Sequence, residues 1–524
     1  MLSGKRINVT GIVQGVGFRP FIYDLASRLR ITGWVRNTSS GVEIELNGDE
    51  SSLVDFIHTM HISPPPLARI DAVSEECHPY NPEFNEFKII DSKPDPEAFV
   101  PVSPDIAVCP DCLKELFNSL DRRYRYPFIN CTNCGPRFTI IKDIPYDRPK
   151  TTMFKFPMCP ECEREYNDPG DRRFHAQPVA CPNCGPHLQL LMNGEVIETR
   201  DSALMTARSL ISQGKILAIK GIGGFHLACN PYNSHAISTL RSRKMRSMKP
   251  FALMAGRMET IRQHAIVDAE SEALLLSKER PVVLLERRNG TILHDQIAPG
   301  QRTLGFMLPY TPLHHLLLSP GDGFPDTLIM TSANLSEEPI VYRDVDTLIR
   351  LPHLVDAVLT HDREINIRTD DSVFQIFIDQ PYPIRRARGY APNPLVLPRK
   401  VGHLLATGAD LKNTFCISRE DYGFISHHIG DLENYETYQS FMEAIAHYER
   451  IFRIKPTLLA CDLHPDYFST RYAIQRSQVE SLPLYRIQHH HAHLAACIAD
   501  NRFNSTHPVI GLCFDGTGYG TDGT

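Results

Sequence analysis

The alternation of apolar and polar residues predicts several folded units, and the pattern is clearest at the start of the chain. Ile7–Val13 and Val42–Leu46 alternate with the period of two that a half-buried strand requires. Pro20–Arg30 and Leu53–Met60 carry apolar residues at helical spacing. The order β-α-β-β-α-β is typical of a ferredoxin-like fold, so residues 1–91 are predicted to form a small α/β unit.

The same patterns predict two α/β units further along the chain. In a third unit, residues 195–390, Ser202–Gln213 has the pattern of a capped helix and Lys215–Ile219 that of a buried strand. A fourth unit is predicted at residues 395–524. Its strands are predicted at the start of Leu404–Thr414, at Leu458–Asp462 and from Val509 to Phe514, each running into a polar loop.

Four Cys-x-x-Cys pairs lie between the first and third units, in a module predicted at residues 104–190 after a linker over Ser92–Asp105. Eighteen residues separate the first pair from the second and the third from the fourth, and each cysteine of the first half recurs fifty positions later. Two such pairs complete a tetrahedron of thiolates, so the pattern predicts two structural zinc ions, with disulfides the disfavoured alternative. Pairing within each half is the default and crossed pairing stays open. The cysteines are Cys109, Cys112, Cys131, Cys134, Cys159, Cys162, Cys181 and Cys184.

Other residues also recur in the two halves of this module. Gly135 and Gly185 follow the last cysteine of each half, where a left-handed residue is commonly needed. Tyr124–Phe128 and Arg172–Pro178 lie between the cysteine pairs and could line a surface. Support for a module too small to have a large core is the favoured interpretation of both segments.

A glycine-containing loop joins the first strand to the first helix. Backbone N–H groups in such a loop can surround an anion, and an arginine at the helix start can add a bidentate contact to phosphate. The loop consists of Gln14, Gly15, Val16, Gly17 and Phe18, followed by Arg19. Together with Gly33–Asn37 and Gly41–Leu46, it resembles the acylphosphatase family. The resemblance implies that Arg19 binds an acyl phosphate and that Asn37 orients the attacking water.

Composition narrows the class of protein. The chain has 524 residues, 42% hydrophobic and 22% charged, with a formal net charge of −6. This balance does not predict a nucleic-acid binder, and no apolar run is long enough for a membrane span. Paired metal-type cysteines without an export signal predict a cytoplasmic protein.

The third unit carries a dense group of cations. Arg241–Lys249 contains five cations in nine positions, which by itself is more typical of a solvated face. Lys244–Pro250, with Thr331–Asn334 and the glycine-rich turn Lys220–His226, resembles the YrdC family, which activates a carbamoyl-type carboxylate with ATP. The resemblance implies a nucleotide and carbamate site at Lys220, Lys244, Arg246, Lys249, Ser332 and Asn334. His361–Arg368 and Arg385–Gly389 are predicted to complete this pocket.

A histidine pair marks the fourth unit. His489 and His493 are four residues apart at the start of a predicted helix, the spacing for two ligands of one metal ion. Asp515 follows a predicted strand that can bring its carboxylate beside them, and this donor set suits zinc or iron. The unit resembles the front of a TsaD-type, actin-like ATP-binding domain.

The four resemblances, in this order, identify the chain as similar to the HypF family of NiFe-hydrogenase maturation carbamoyltransferases. The family resemblance implies hydrolysis of carbamoyl phosphate, formation of carbamoyl-adenylate with ATP and Mg²⁺, and transfer to the C-terminal cysteine of a partner, HypE. The chain ends at Thr524, inside the phosphate-loop region of the fourth unit, whereas the family continues. The final transfer and the metal site are therefore expected to be impaired.

Two alternatives come from other classes of protein. A threonylcarbamoyl-type tRNA-modification enzyme would share the YrdC and TsaD chemistry, and the acylphosphatase unit and acidic balance disfavour it. A non-enzymatic zinc scaffold would show no turnover that depends on ATP or carbamoyl phosphate.

Overall fold

The computed structural model describes residues 2–38, 41–90, 101–246, 248–321, 323–335, 338–503, 507–516 and 518–523. They divide into two compact units, the first holding Met1–Ser336 and Ile340–Tyr390, the second Glu337–Pro339 and Ala391–Thr524. Most of the predicted linker, residues 92–100, lies outside the described residues. The linker prediction is wrong for the end of this segment, because Asp105 is buried and accepts hydrogen bonds from Arg137 N (2.7 Å) and Thr139 Oγ1 (2.8 Å).

The N-terminal sheet has the predicted strand and helix order, followed by one further short strand. Its strands lie in the order β4-β1-β3-β2-β5, antiparallel except for the β2–β5 pair. Helix α1 begins at Phe18, two residues before the predicted start, because Gly17 is left-handed (φ 75°) and caps it. Arg19 therefore lies in the first helical turn. The elements are β1 Leu2–Ile12, α1 Phe18–Arg28, β2 Thr32–Thr38, β3 Gly41–Asp49, α2 Glu50–Ile62, β4 Arg69–His78 and β5 Phe87–Ile89.

The cysteine module consists of two similar short helices joined by loops. Helices α3 (Pro110–Phe117) and α4 (Pro160–Asn167) each begin directly after a cysteine, with proline at the first position, where no N–H is needed. Three 3₁₀ turns lie between the halves, at Phe138–Ile140, Arg148–Lys150 and Thr152–Lys155. Because each half has little regular structure, its loops depend on the thiol clusters and on neighbouring units for support.

The third region is built around a mixed sheet of eleven strands in the order β16-β15-β11-β12-β10-β13-β9-β8-β14-β6-β7. Strand β6 pairs with β14. The sheet thus begins at Leu188, within residues predicted to end the cysteine module. The elements are β6 Leu188–Met192, β7 Glu195–Thr199, α5 Arg200–Ser212, β8 Leu217–Lys220, β9 Phe225–Cys229, α6 Ser234–Arg243, β10 Leu253–Ala255, α7 Met258–His264, α8 Ala269–Leu276, β11 Val282–Glu286, a 3₁₀ turn Asp295–Ile297, β12 Thr303–Met307, α9 Pro312–Leu317, β13 Thr327–Ser332, α10 Asp344–Arg350, β14 Ala357–His361, β15 Val373–Phe377 and β16 Gln380–Arg385.

The second compact unit is a four-stranded sheet with helices, in the strand order β18-β17-β19-β20. The strand predicted from Val509 to Phe514 is wrong, since these residues form no strand and pair with none of the described strands. Without a partner, the apolar side chains of Ile510 and Phe514 stay exposed. The elements are β17 Leu395–Ala406, β18 Cys416–Ile425, α11 Tyr435–Phe452, β19 Leu458–Asp462, α12 Phe468–Glu480, β20 Leu484–Ile487 and α13 His489–Asp500. Within the described ranges, no helix has the length and apolarity that crossing a membrane would require.

Candidate functional sites

The eight predicted cysteines form two clusters, one in each half of the repeat. Neighbouring sulfur atoms lie 3.6–3.9 Å apart in the first cluster and 3.7–3.8 Å apart in the second. Four thiolates at Zn–S bonds of about 2.3 Å around a tetrahedron lie about 3.8 Å apart, so both clusters fit zinc. The default pairing within each half is therefore confirmed, and the crossed alternative is excluded.

Each cluster receives arginine contacts from the other half. Arg122 Nη2 of the first half donates to Cys159 Sγ (3.5 Å) and Cys162 Sγ (3.4 Å) of the second. Arg172 Nη2, fifty positions later, donates to Cys112 Sγ of the first half (3.3 Å). Because four thiolates around Zn²⁺ carry a net negative charge, each half helps to neutralise the cluster of the other.

The two knuckle glycines have different reasons for being glycine. Gly135 is left-handed (φ 91°), as predicted. Gly185 is not, and the prediction is wrong there. A Cβ at Gly185 would lie 2.0 Å from Tyr126 Oη and 2.4 Å from Ala180 Cβ, so this position needs glycine for space.

The anion loop is held by its own side chains, which leaves its backbone for binding. Val16 and Phe18 are buried in the core of the first sheet. Gln14 Nε2 donates to Thr38 O (2.6 Å) and Gly41 O (2.8 Å), so Gln14 fixes the loop to the neighbouring hairpin. Gly15 and Gly17 both have positive φ, 70° and 75°. These angles let the loop curl with its N–H groups on one side.

The two predicted catalytic residues of this unit both have polar groups without a hydrogen-bond partner among the described residues. Among the described residues, no hydrogen bond is made by the Arg19 guanidinium, and burial lowers the pKa of Arg19, with Asp147 acting in the opposite direction. An oxyanion bound there would offset the cost of burying that charge. Asn37 is 5% exposed, and its Oδ1 has no hydrogen-bond partner within the described ranges. A buried unpaired amide oxygen is the group that an attacking water molecule would satisfy.

Residues from both halves of the cysteine module, and from the segment between the halves, cover this loop. The Tyr146 ring lies 2.8 Å from the position that a Cβ of Gly15 would occupy, and Arg137 Nε donates to Gly15 O (3.1 Å). A cavity lies between the loop and the module. From the module it is lined by Thr132, Arg137, Tyr146, Phe174, His175, Ala176 and Gln177. Arg172–Pro178 therefore both supports the module, as the favoured interpretation holds, and lines a cavity.

The first half of the module covers a different cavity, beside the large sheet. The Phe128 ring packs edge-on against His361 (4.9 Å between centroids), and the Arg363 guanidinium lies over it at 5.4 Å. The remaining lining includes Pro127, Ile129, Gly135, Pro136, Lys220, Gly221, Ile222 and Tyr310. The end of Tyr124–Phe128, at Pro127 and Phe128, thus lines a cavity, and His361 and Arg363 of the predicted His361–Arg368 segment line it too.

Lys220, predicted to bind nucleotide or carbamate, is tied to protein groups at the edge of this cavity. Its Nζ donates to both carboxylate oxygens of Asp344 (2.7 Å each) and to His361 O (2.9 Å). Burial lowers the pKa of Lys220, and the Asp344 carboxylate opposes that shift. In this arrangement Lys220 positions β14 against β8 and is not directed at open space.

Lys244, Ser332 and Asn334 are brought together as the resemblance implied. Lys244 is 1% exposed, and its Nζ donates to Ser332 O (2.6 Å) and to Asn334 O and Oδ1 (2.7 Å each). Ser332 Oγ donates to the same Asn334 oxygen at 2.8 Å. The lysine therefore shapes the end of β13.

The other predicted cations lie nearer to solvent. Burial, together with the neighbouring Arg241 and Arg385 guanidinium groups, lowers the pKa of Arg246 to about 10. Lys249 is exposed. The positive charges of Arg241 and Arg385 beside Arg246 favour an anion near Arg246, and Arg385 belongs to the segment predicted to complete the pocket.

A buried charge network behind the glycine-rich turn was missed. His226 Nε2 and Arg388 Nε both contact the Asp371 carboxylate, at 2.8 and 2.7 Å. Burial alone would raise the pKa of Asp371, but Arg388 and His226 hold it well below its usual range. The histidine that ends Lys220–His226 could have indicated this network, but its partner Asp371 lies 145 residues away in the sequence, so the pair could not be predicted from local pattern.

In the second compact unit, the predicted metal ligands lie together. His489 Nε2 is 3.0 Å from Asp515 Oδ2 and 3.2 Å from His493 Nε2, a donor set that fits zinc or iron. Sequence reasoning missed Asp462, whose Oδ2 lies 2.6 Å from His489 Nδ1. A carboxylate behind a histidine ligand fixes its tautomer and orientation.

Comparison with known proteins assigns each region. The chain matches the Acylphosphatase family over residues 5–89 and the HypF finger over 108–141 and 158–191. It matches the Sua5/YciO/YrdC family, described as telomere recombination, over 209–387, and the HypF Kae1-like domain over 399–500. It is 46% identical, over 100% of its length, to a carbamoyltransferase HypF of Synechocystis sp. that it covers to 67%. The chain belongs to the HypF carbamoyltransferase family.

Other HypF proteins give the same result. Carbamoyltransferase HypF2 of Cupriavidus necator is 48% identical over 99% of this chain and 66% of that protein. A crystal structure of full-length HypF, in a phosphate- and nucleotide-bound form, superposes with a TM-score of 0.94 at 48% identity, over 100% of this chain and 68% of that one. HypF of T. kodakarensis gives a TM-score of 0.91. The chain thus spans about two thirds of the length of these relatives. The family and fold predicted from the sequence are confirmed.

Proposed function

We propose that this chain hydrolyses carbamoyl phosphate and joins the carbamate to ATP, as part of cyanide-ligand synthesis for NiFe hydrogenases in the cytoplasm. The observation that carries the proposal is the pair of cavities on the two sides of the cysteine module. One holds the acylphosphatase loop and Arg19, and the other holds the glycine-rich turn of the YrdC-like region.

The first step is hydrolysis at phosphorus. Carbamoyl phosphate binds through the N–H groups of the loop and the Arg19 guanidinium. The oxygen of a water molecule held by Asn37 forms a bond to phosphorus, and the bond from phosphorus to the carbamoyl oxygen breaks. The bonding electrons leave with carbamate. The water's two hydrogens stay on the phosphate product, or one of them is released as a proton. Charge neutralisation and positioning are enough for this reaction, and no covalent intermediate with the protein is needed.

The second step activates the carbamate. A carbamate oxygen forms a bond to the α-phosphorus of ATP while the bond from that phosphorus to pyrophosphate breaks, giving carbamoyl-adenylate. Arg246 and Lys249 are proposed to contact the phosphates, with Lys220, Lys244, Ser332 and Asn334 shaping the pocket around them. Mg²⁺ would enter with ATP and neutralise phosphate charge. The phosphate- and nucleotide-bound form of the related HypF supports this step.

Carbamate decomposes in water, so a short route between the two cavities would protect it. Gly135 and Pro136 line the cavity beside the large sheet, and the next residue, Arg137, lines the cavity at the anion loop. We propose that carbamate passes this segment without release to solvent. Scavengers of free carbamate should then leave adenylate formation unchanged, whereas loss of the adenylate on adding them would contradict a closed route.

The third step is transfer of the carbamoyl group from the adenylate to the C-terminal cysteine of HypE: the cysteine sulfur forms a bond to the carbamoyl carbon, the bond from that carbon to the AMP oxygen breaks, and AMP and the thiol proton are released. We propose that His489, His493 and Asp515 would hold a zinc or iron ion for this step, with Asp462 orienting His489. The ion would supply charge for binding nucleotide phosphate. Mass spectrometry of HypE, mixed with this chain, carbamoyl phosphate and ATP, should show whether its terminal cysteine gains the carbamoyl group.

The proposed function is tested by exchange of labelled pyrophosphate into ATP. Exchange should require carbamoyl phosphate and should fall strongly when Arg246 and Lys249 are both changed to Ala, since one phosphate contact is worth about 2–4 kcal/mol in the transition state. Arg19→Ala should abolish exchange from carbamoyl phosphate but not from added ammonium carbamate. Exchange that instead requires bicarbonate and threonine would support the tRNA-modification alternative.

Asn37→Ala separates positioning of water from binding of substrate. Because the water is needed only for the reaction, the variant should lower kcat for acyl-phosphate hydrolysis about ten- to a hundredfold with KM changed little. Hydrolysis at the parental rate would remove Asn37 from the mechanism.

A further inference from the structure

The acylphosphatase cavity is lined by one histidine, and that histidine does not belong to the acylphosphatase unit. His175 lies in the second half of the cysteine module, among the residues that line the cavity with Arg19. The Arg19 guanidinium is close enough to lower the pKa of His175, adding to the effect of burial, to about 4. The imidazole is therefore neutral at physiological pH and can donate one N–H without adding charge.

His175 is held in place from several directions. Its ring packs edge-on against Phe174 (4.4 Å between centroids) and tilted against Tyr166 (5.1 Å). Its backbone N donates to Tyr166 O (3.0 Å), and Gln177 Nε2 donates to the His175 carbonyl (2.9 Å). The ring nitrogens themselves make no hydrogen bond to any described residue. A ring fixed this firmly, with its polar atoms unused beside an anion site, is suited to contact a ligand.

The matching residue of the first half behaves differently. Arg125 stands fifty positions earlier and shares the left-handed backbone, with φ 55° against 54° for His175. Its guanidinium turns to the surface and contacts Asp201 Oδ1 at 2.7 Å. The repeat therefore does not require a histidine, or a side chain directed into a cavity, at this position.

We propose that His175 is a specificity-determining residue of the acylphosphatase site, which donates a hydrogen bond to the carbamoyl group of the substrate and narrows the space for larger acyl groups. The inference rests on the proposed acylphosphatase function and adds to it the choice of acyl group. Phe174 and Tyr146 form the neighbouring walls of the cavity. A flat aromatic acyl group would therefore be crowded by these two rings and the His175 ring, whereas the small carbamoyl group would accept a hydrogen bond from the His175 N–H.

The test compares kcat/KM for carbamoyl phosphate and for benzoyl phosphate in the whole 524-residue protein with both zinc sites filled. His175→Ala should lower the value for carbamoyl phosphate about three- to tenfold, the effect of one neutral hydrogen bond, and should not lower the value for benzoyl phosphate. The ratio of the two values should shift by at least about threefold. His175→Gln, which keeps an N–H donor, should recover part of the activity on carbamoyl phosphate.

Controls distinguish a wrong inference from misfolding of a variant and from failure of the proposed function. Arg125→Ala, at the same position of the other half, should leave the ratio within error of the parent, and zinc content with thermal unfolding checks the fold of each variant. If the parent hydrolyses neither substrate, the proposed function falls and the inference with it. If the parent hydrolyses both through Arg19 and His175→Ala leaves their ratio unchanged, the inference alone is wrong.

Discussion

The two halves of the cysteine module share a metal-binding frame and differ in what their loops contact. Both halves begin with Cys-Pro, place a short helix after the first cysteine and gather four sulfur atoms at the spacing of a zinc tetrahedron. The loop before the third cysteine then diverges. In the first half it packs Phe128 against His361, and in the second it sets His175 near Arg19.

This difference shows how one structural module can line two separate cavities. A closed four-cysteine site has no open coordination position, so zinc itself performs no chemistry there. What zinc supplies is rigidity for loops that have little secondary structure of their own. Because the halves share their metal sites and short helices but not these loop side chains, each loop is free to suit a different cavity.

The largest effect is expected from disrupting one of the two zinc sites. Cys131→Ser removes a ligand from the first cluster, and structural zinc sites are worth about 10–16 kcal/mol in apparent binding free energy. Zinc content should fall from two ions per chain to one or fewer, with a lower temperature of unfolding. Cys77→Ser, at an exposed thiol outside both clusters, is the matched control. Two zinc ions retained in Cys131→Ser would contradict the assignment.

A smaller effect is expected from removing the arginine that each half places against the cysteine cluster of the other half. Arg172→Ala should speed loss of zinc from the first cluster, and Arg122→Ala from the second, because each removes a donor to the thiolates of the other half. Hydrogen bonds to charged groups contribute about 1.5–3 kcal/mol, so roughly a tenfold change in the rate is expected for these partly exposed arginines. Zinc capture by a chromophoric chelator measures it. Faster loss of zinc from the cluster in the same half as the substituted arginine, and not from the other cluster, would disprove the reciprocal arrangement.

The smallest effect concerns pH. His175 has a pKa of about 4 in the folded protein, against an ordinary value of 6.5, so between these values the unfolded chain binds more protons and stability falls as the pH falls. His175→Gln cannot titrate and should show a shallower loss of unfolding free energy between pH 7 and 5.5. Arg125→Ala should keep the parental slope. Urea unfolding with zinc content monitored gives both slopes, and equal slopes for His175→Gln and the parent would remove His175 from the titrating groups.

What could be predicted from the sequence was local. The zinc clusters follow from spacing, because Cys-x-x-Cys fixes two ligands within one turn, and His489 with His493 follows from helical periodicity. Contacts between distant segments could not be predicted in this way. The Tyr146 ring over Gly15, the Asp462 carboxylate behind His489, and the space that requires Gly185 all arise from tertiary packing.

Two further differences have the same origin. Lys220 and Lys244 were predicted from the resemblance to the YrdC family to bind nucleotide or carbamate, and in the structure both ammonium groups are hydrogen-bonded to protein oxygens. The apolar run from Val509 to Phe514 has strand character, but a strand forms only where another strand pairs with it, and none of the described strands does. For Val509–Phe514, the local preference for a strand is overruled by the surrounding structure.

The central claim, that the two loops serve two different sites, is tested most directly by one pair of variants. Phe128→Leu and Phe174→Leu each remove one ring from one loop and keep a buried apolar side chain. Pyrophosphate exchange is measured with added ammonium carbamate, which bypasses the first reaction, and acyl-phosphate hydrolysis is measured in parallel. Phe128→Leu should lower exchange severalfold and leave hydrolysis unchanged, and Phe174→Leu should do the reverse. Equal losses of both activities in both variants, with zinc retained, would show that the loops support the fold in common and do not serve separate sites.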